Sequence, residues 1–156
     1  MNGVSKISTE QTVMLVNFTD TNCKADYPAV VLTAFAQNKI VVDMISQVAP
    51  NGNNVNFSFT VSEQYFDDVM QTIQQLKKEF NKMVPLISSG YTKINLFGGD
   101  MVTCCGVAAK ALSALVKADI DITLITTSDL DISLLIRAED EDSAVELLSK
   151  EFAINI

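Results

Sequence analysis

Histidine is absent from this sequence. That absence removes serine and cysteine triads with a histidine base, the common catalytic zinc sites, and the usual acid–base side chain. Cysteine is scarce: Cys23, Cys104 and Cys105 are the only three. An odd count with two adjacent members is a poor disulfide framework, and no fourth ligand stands at finger-like spacing for zinc. The cysteines read as small residues in or near turns, with no metal and no cofactor. Basic residues are outnumbered, 11 against 19 acids, for a net charge of −8 and a pI near 4.4. This argues against nucleic acid, whose phosphates select basic surfaces. Lys77 and Lys78 form no patch; they fall near the end of a predicted helix, where cations complement the dipole. Long hydrophobic runs are missing too. Ile40–Val42 and Leu134–Ile136 are far too short to span a membrane, and the opening MNGVSKIST has no apolar signal core. The expectation is a cytoplasmic protein with neither membrane nor nucleic-acid partner, its acidity serving solubility and favouring a cationic ligand.

What is present suits an ordered globular chain. Hydrophobic residues make up 48% and charged residues 19% of the 156 positions, enough for one ordinary core or two small packed ones. The chain repeats itself. AFAQNKIVVDMISQ from Ala34 lines up with ALVKADIDITLITT from Ala114, an offset of 80. Upstream, strand Val13–Phe18 leads to the helix PAVVLTAFAQ, as strand Ile94–Phe97 leads through GGDMVTCC to GVAAKALSALVKA. Asp26 before Tyr27-Pro28, and Thr103 in the second copy, stand where helix caps belong. Downstream, Phe57, Phe59 and Val61 alternate on one strand face, and Ile132, Leu134 and Ile136 on another. Ser62 then caps a helix with the apolar stripe Phe66, Val69, Ile73, Leu76 and Phe80; Asp140 begins one carrying Ala144, Leu148 and Phe152. A final strand is expected in each copy, at Val84–Ile87 and Ala153–Ile156, with Ser88-Ser89-Gly90 as a short polar linker and Pro50–Asn54 as a hairpin turn.

Each copy therefore reads as βαββαβ: an α+β fold of two tandem ferredoxin-like units with antiparallel sheets. The expected division is residues 10–88 and 89–156, with 1–9 a linker-like strand that adds to the second unit. Each half has a small core, so the two should stabilise each other by packing.

No catalytic residues stand out. Phe97-Gly98-Gly99-Asp100 lacks the lysine and hydroxyl of a phosphate loop, so its glycines serve a tight turn and a close backbone approach. The joint between loop and helix suits a different ligand. A free amino acid carries a carboxylate, which helix-start N–H groups accommodate, and an ammonium, which carbonyls or carboxylates accommodate. Met101 to Ala108 (MVTCCGVA) put Gly106 at such a start, with Asp121, Ile122, Ser128 and Asp129 on or beside the neighbouring strand. Asp43, Ser46 and Gln47 hold the equivalent strand of the first copy.

These segments resemble the two ACT domains of aspartate kinases. IVVDMISQ (Ile40–Gln47) is similar to the family's INVDMI-x-Q strand. Met101–Ile136 is similar to its M-x-x-x-P-G-V-A-A…GINI-x-x-IsTSE-x-x-IS segment, and GVSKIS (Gly3–Ser8) to the stretch joining kinase and regulatory halves. The resemblance implies feedback control of aspartate phosphorylation, in lysine, threonine and methionine biosynthesis, by lysine or threonine bound between ACT domains. It also implies a homodimer through those domains and a kinase catalytic domain elsewhere in the protein or in a partner subunit. Gln47, Asp121 and Ile122 match effector-contacting positions, Ser128 lies in the TSE-like turn, and Asp43 matches a strand aspartate of lysine-sensitive relatives. The sequence departs from the pattern in three places. Cys23, Lys24, Ala25 and Asp26 replace the first D-x-P-G loop, Cys105 replaces proline, and Asp121 replaces asparagine. The added charge of Asp121 favours lysine. The alternative is a stand-alone tandem-ACT sensor or interaction protein without a kinase.

Overall fold

Residues 3–20, 26–49 and 55–154 are described by the structure, a computed structural model. In chain order they form β1 (Lys6–Asp20), α1 (Tyr27–Gln37), β2 (Asp43–Gln47), β3 (Val55–Ser62), α2 (Phe66–Glu79), β4 (Val84–Phe97), α3 (Val107–Val116), β5 (Ile122–Thr127), β6 (Asp131–Arg137) and α4 (Glu141–Phe152). The chain divides into two units, one of residues 12–89 and one in which residues up to 11 join those from 90 onward. Both have the ferredoxin-like α+β arrangement expected from the repeat.

In the unit of residues 12–89, β3 pairs antiparallel with β1 and with β2, setting Val16 opposite Phe59 and Phe18 opposite Phe57. Alternation puts Met14, Val16, Phe18, Phe57, Phe59 and Val61 into one core with Tyr27, Val31 and Phe35 of α1 and Val69, Ile73 and Leu76 of α2. Aromatic rings dominate it. Phe18 stacks on Phe57 at 5.1 Å between centroids, and Phe35 meets Phe59 edge-on at 4.9 Å. Such pairs add about 0.5–1.5 kcal/mol each beyond simple burial. In the other unit, β6 pairs antiparallel with β4 and β5. Its core joins Ile94, Leu96, Ile132, Leu134 and Ile136 to Val107, Ala111 and Leu115 of α3 and Ala144, Leu148 and Phe152 of α4. The helical steps of four place each trio on one face.

The 80-residue offset holds down to backbone angles. Lys39 and Asp119 both take the left-handed conformation, at φ 59° and 56°. Each ends its helix the same way: Ile40 N–H donates to the Phe35 carbonyl and Ile120 N–H to that of Leu115. A turn of this kind satisfies carbonyls that the helix end leaves over.

Five expectations need correction. Ser88-Ser89-Gly90 is no linker, because β4 runs unbroken through it. Gly90 at φ 83° lets the strand adjust within itself rather than end. The last predicted strand is not seen: Ala153 ends α4 at φ 53°, Ile154 is not in a strand, and 155–156 lie outside the described residues. Neither Asp26 nor Thr103 caps a helix by its side chain. Asp26 sits at the N-cap position but with helical angles, φ −83° and ψ −9°, whereas a capping residue is extended. The Thr103 hydroxyl instead donates back to the Asp100 carbonyl at 3.3 Å, leaving Gly106 as the N-cap of α3. Ser62 caps not α2 but the short turn Glu63–Tyr65 that leads into it, accepting from Gln64 N–H at 3.5 Å. The Pro50–Asn54 turn lies outside the described residues, apart from the flanking strands.

Candidate functional site

Gly106 takes φ 85° and ψ 7°, angles that cost a side chain strain, and so turns the chain sharply into α3. Lys110 N–H bonds the Gly106 carbonyl, the first bond of the helix. The N–H groups before it have no carbonyl one turn back, and Gly106 at the N-cap brings no side chain to accept from them. They carry the positive end of the helix dipole.

Facing this start is the turn from β5 to β6, built on Ser128. The Ser128 hydroxyl donates to the Asp131 carboxylate at 2.8 Å and accepts from the N–H groups of Leu130 and Asp131 at 3.2 Å. Ser128 N–H donates to the Asp131 carbonyl at 2.9 Å. Asp129 is thereby held exposed at the tip of a rigid turn.

Between the two lies a cleft of about 410 Å³ lined by Met101, Val102, Cys104, Gly106, Val107, Ala108, Thr127, Ser128, Asp129 and Ile132. Of the residues proposed from sequence, Met101, Gly106, Ala108, Ser128 and Asp129 meet here. Asp121 and Ile122 do not line it. Ile122 begins β5, five residues from Thr127 or roughly 17 Å at a strand's rise per residue, and Asp121 directly precedes it. Asp121 is exposed and Ile122 half-buried, pairing with Ile136. Asp43 and Gln47 sit exposed at the two ends of β2, in the other unit, opposite Thr60 and Phe57 of β3. Gln47 is the repeat counterpart of Thr127, so it holds in the first unit the place that lines the cleft in the second. The counterparts of Met101, Val102 and Cys104 would fall on residues 21–25, outside the described residues. The glycine of the loop is replaced there by Asp26, and its angles are helical rather than left-handed.

The cleft residues not singled out from sequence are Val102, Cys104, Val107, Thr127 and Ile132. Thr127 was reachable from the repeat offset through Gln47. The apolar ones carry no mark that separates a cleft wall from core. A wider groove of about 520 Å³ runs between α3 and α4, with Lys110, Lys117 and Lys150 on its walls. Two of these cations already serve the fold: Lys110 donates to the Glu151 carbonyl at 2.7 Å, and Lys150 pairs with Glu146 at 2.9 Å. Among the described residues, no cluster of three metal-ligating side chains occurs, and no helix is long and apolar enough to cross a membrane.

Comparison with known proteins adds to this geometry. The ACT domain family profile matches residues 94–152. The aspartokinase of Geobacillus stearothermophilus is 30% identical over 126 residues, covering 81% of this chain and 30% of that protein. A crystal structure of aspartokinase alpha and beta subunits superposes with a TM-score of 0.88 at 27% identity, covering 97% of this chain and 99% of the matched one. The ligand-free regulatory subunit of aspartate kinase from Thermus thermophilus, at 22% identity and a TM-score of 0.88, shares the fold. The chain spans about 30% of the length of curated relatives that it matches. It resembles the tandem ACT regulatory region of aspartate kinases over nearly all its length.

Proposed function

From that resemblance we propose that the chain is the amino-acid-sensing regulatory part of an aspartate kinase, and that the cleft at the start of α3 is an effector site. One observation carries the reading: a helix start with glycine at its N-cap and an acid-bearing turn face each other across one cleft. The two ends of a zwitterion need opposite partners at fixed spacing. The α-carboxylate lies against the first N–H groups of α3, where both the dipole and the direction of those donors favour an anion. The α-ammonium meets Asp129, and the side chain lies along Met101, Val102 and Ile132.

Lysine is the favoured effector and threonine the alternative. The case for lysine rests on Asp121, which is too far along β5 to reach the same bound molecule from within its own unit. A second cationic end is gripped by Asp121 only when the ACT unit of a neighbouring chain supplies it. The reading therefore includes a cytoplasmic homodimer through ACT domains and a kinase catalytic half. Occupancy then controls aspartate phosphorylation, because the effector has different affinities for two arrangements of the ACT units.

The test is a calorimetric titration with lysine, threonine, methionine and the other amino acids. Saturable binding is expected, weakened roughly ten- to hundredfold by Asp129→Asn, the loss expected for a hydrogen bond between charged groups. Lysine binding that also falls with Asp121→Ala supports the two-sided grip. Threonine binding more tightly than lysine refutes the lysine preference. Absence of heat with every amino acid refutes the effector site in this chain.

A further inference from the structure

Gly98 stands where three pieces of the chain meet. Its N–H donates to the Leu130 carbonyl at 2.9 Å, holding the β5–β6 turn. Its carbonyl accepts from Met101 N–H at 3.1 Å, starting the short helical turn Gly99–Val102 that forms one side of the cleft. Its α-carbon faces the segment at residues 3–5. A β-carbon on Gly98 would overlap the Gly3 carbonyl, and it would stand 2.9 Å from the Val4 α-carbon. Its φ of −172° is extended and open to any residue, so close approach alone demands glycine here.

The segment at 3–5 is seated from the other side as well. Gly3, at φ 72°, lies so close to the start of α3 that a β-carbon there would come 2.5 Å from Val107 Cγ2 and 3.4 Å from Cys104. Val4 is buried in the core of this unit, and Ser5 N–H donates to the Phe97 carbonyl at 2.8 Å. Val107 and Cys104 line the cleft. Residues 3–5 thus back onto both the helix start and the glycine that holds the opposing turn.

We infer that residues 3–5 and the cleft form one mechanical unit, with Gly98 as the positioning residue that joins them. Cleft occupancy is passed to the N-terminal segment without any contact between ligand and segment. The inference rests on the effector reading for its purpose: the segment resembles the stretch that leads to the kinase half. Its mechanics stand without a ligand. Interiors are close-packed, so walls sharing a backbone contact shift together rather than singly.

The experiment uses the whole chain and two variants, Gly98→Ala and Ser5→Pro. The first places a methyl in the seat of Gly3. The second removes the N–H that ties the segment to Phe97 and leaves the cleft residues untouched, which covers the case in which Gly98→Ala fails to fold. Alkylation of Cys104 is followed by mass spectrometry, with exposed Cys105 as the internal control, beside amide exchange at 128–131 and, where the N–H is kept, at Ser5. Loosening by one hydrogen bond should raise Cys104 alkylation and exchange in the turn about fivefold, with Cys105 unchanged. If the tie is lost, by an opened Ser5 amide in Gly98→Ala or by the proline itself in Ser5→Pro, while Cys104 and the turn keep their wild-type rates, the coupling is refuted.

An amino acid that binds should slow exchange at Ser5. Binding with Ser5 unaffected overturns the coupling and leaves the effector site standing. Failure of every amino acid to bind overturns the effector site, and the thiol and exchange rates still decide the coupling.

Discussion

At the scale of single residues, the offset of 80 marks both what was kept between the copies and what drifted. Gly106 and Asp26 occupy the same place, yet one is left-handed and the other helical. Loss of glycine from the first loop was plain in the sequence, and so was its consequence, because only glycine takes those angles without strain. The hydroxyl of Ser149 was not legible. It is buried on α4 with no hydrogen-bond partner. From sequence, a serine among Leu148, Lys150 and Glu151 looks like any helix surface position. An unsatisfied buried hydroxyl costs about 1–3 kcal/mol, and alanine is also the better helix former. Ser149→Ala should therefore stabilise the protein by about 1 kcal/mol, seen as a higher urea midpoint at constant slope. A lower midpoint would mean that the hydroxyl has a partner in solution.

At the scale of elements, the four α-helices were legible, α2 and α4 from their apolar stripes and α1 and α3 from their places in the repeat, and so were the strands with alternating apolar residues. β4 was not, because Ser88, Ser89 and Gly90 interrupt the pattern with residues typical of a turn. Polarity signals exposure rather than a break in the backbone, and here the strand simply goes on. The first part of β1 was expected only as a linker-like strand ending at residue 9: Lys6–Gln11 is mostly polar, held by partners such as Lys93, which meets Glu10 at 3.1 Å. Thr12 at φ 55° and Gly90 at φ 83° fall where β1 and β4 pass from one unit to the other. A β-carbon at Gly90 would meet nothing within 4 Å, so its conformation alone sets the cost of substitution. Gly90→Ala should destabilise by about 1–2 kcal/mol, the penalty for a left-handed L-residue. Thermal unfolding measures this directly. No change would show that the strand straightens without loss. The cleft was half legible: its polar residues and glycine were marked by type, its apolar walls by nothing.

At the scale of the molecule, the proposed homodimer has a physical basis in β2. This strand pairs with β3 and has no other neighbour among the described strands, and Val41, Ile45 and Val48 around it are at least half exposed. An open edge flanked by apolar side chains is a surface that pairs with another chain. Sedimentation should give twice 17.0 kDa, and Ile45→Lys should give the monomer. A monomeric wild type at high concentration, with and without amino acids, would rule out the dimer. The seating of residues 3–5 has a further consequence, in the order of synthesis. Ser5 bonds Phe97, 92 positions later. At the usual pace of a ribosome, the segment leaves the exit tunnel on the order of ten seconds before its seat exists. Residues 12–89 are complete by then and can fold while the segment waits. A segment made before residues 12–89 thus finds its place only after them. During that wait, its polar stretch, Lys6 to Thr12, keeps it free of wrong partners.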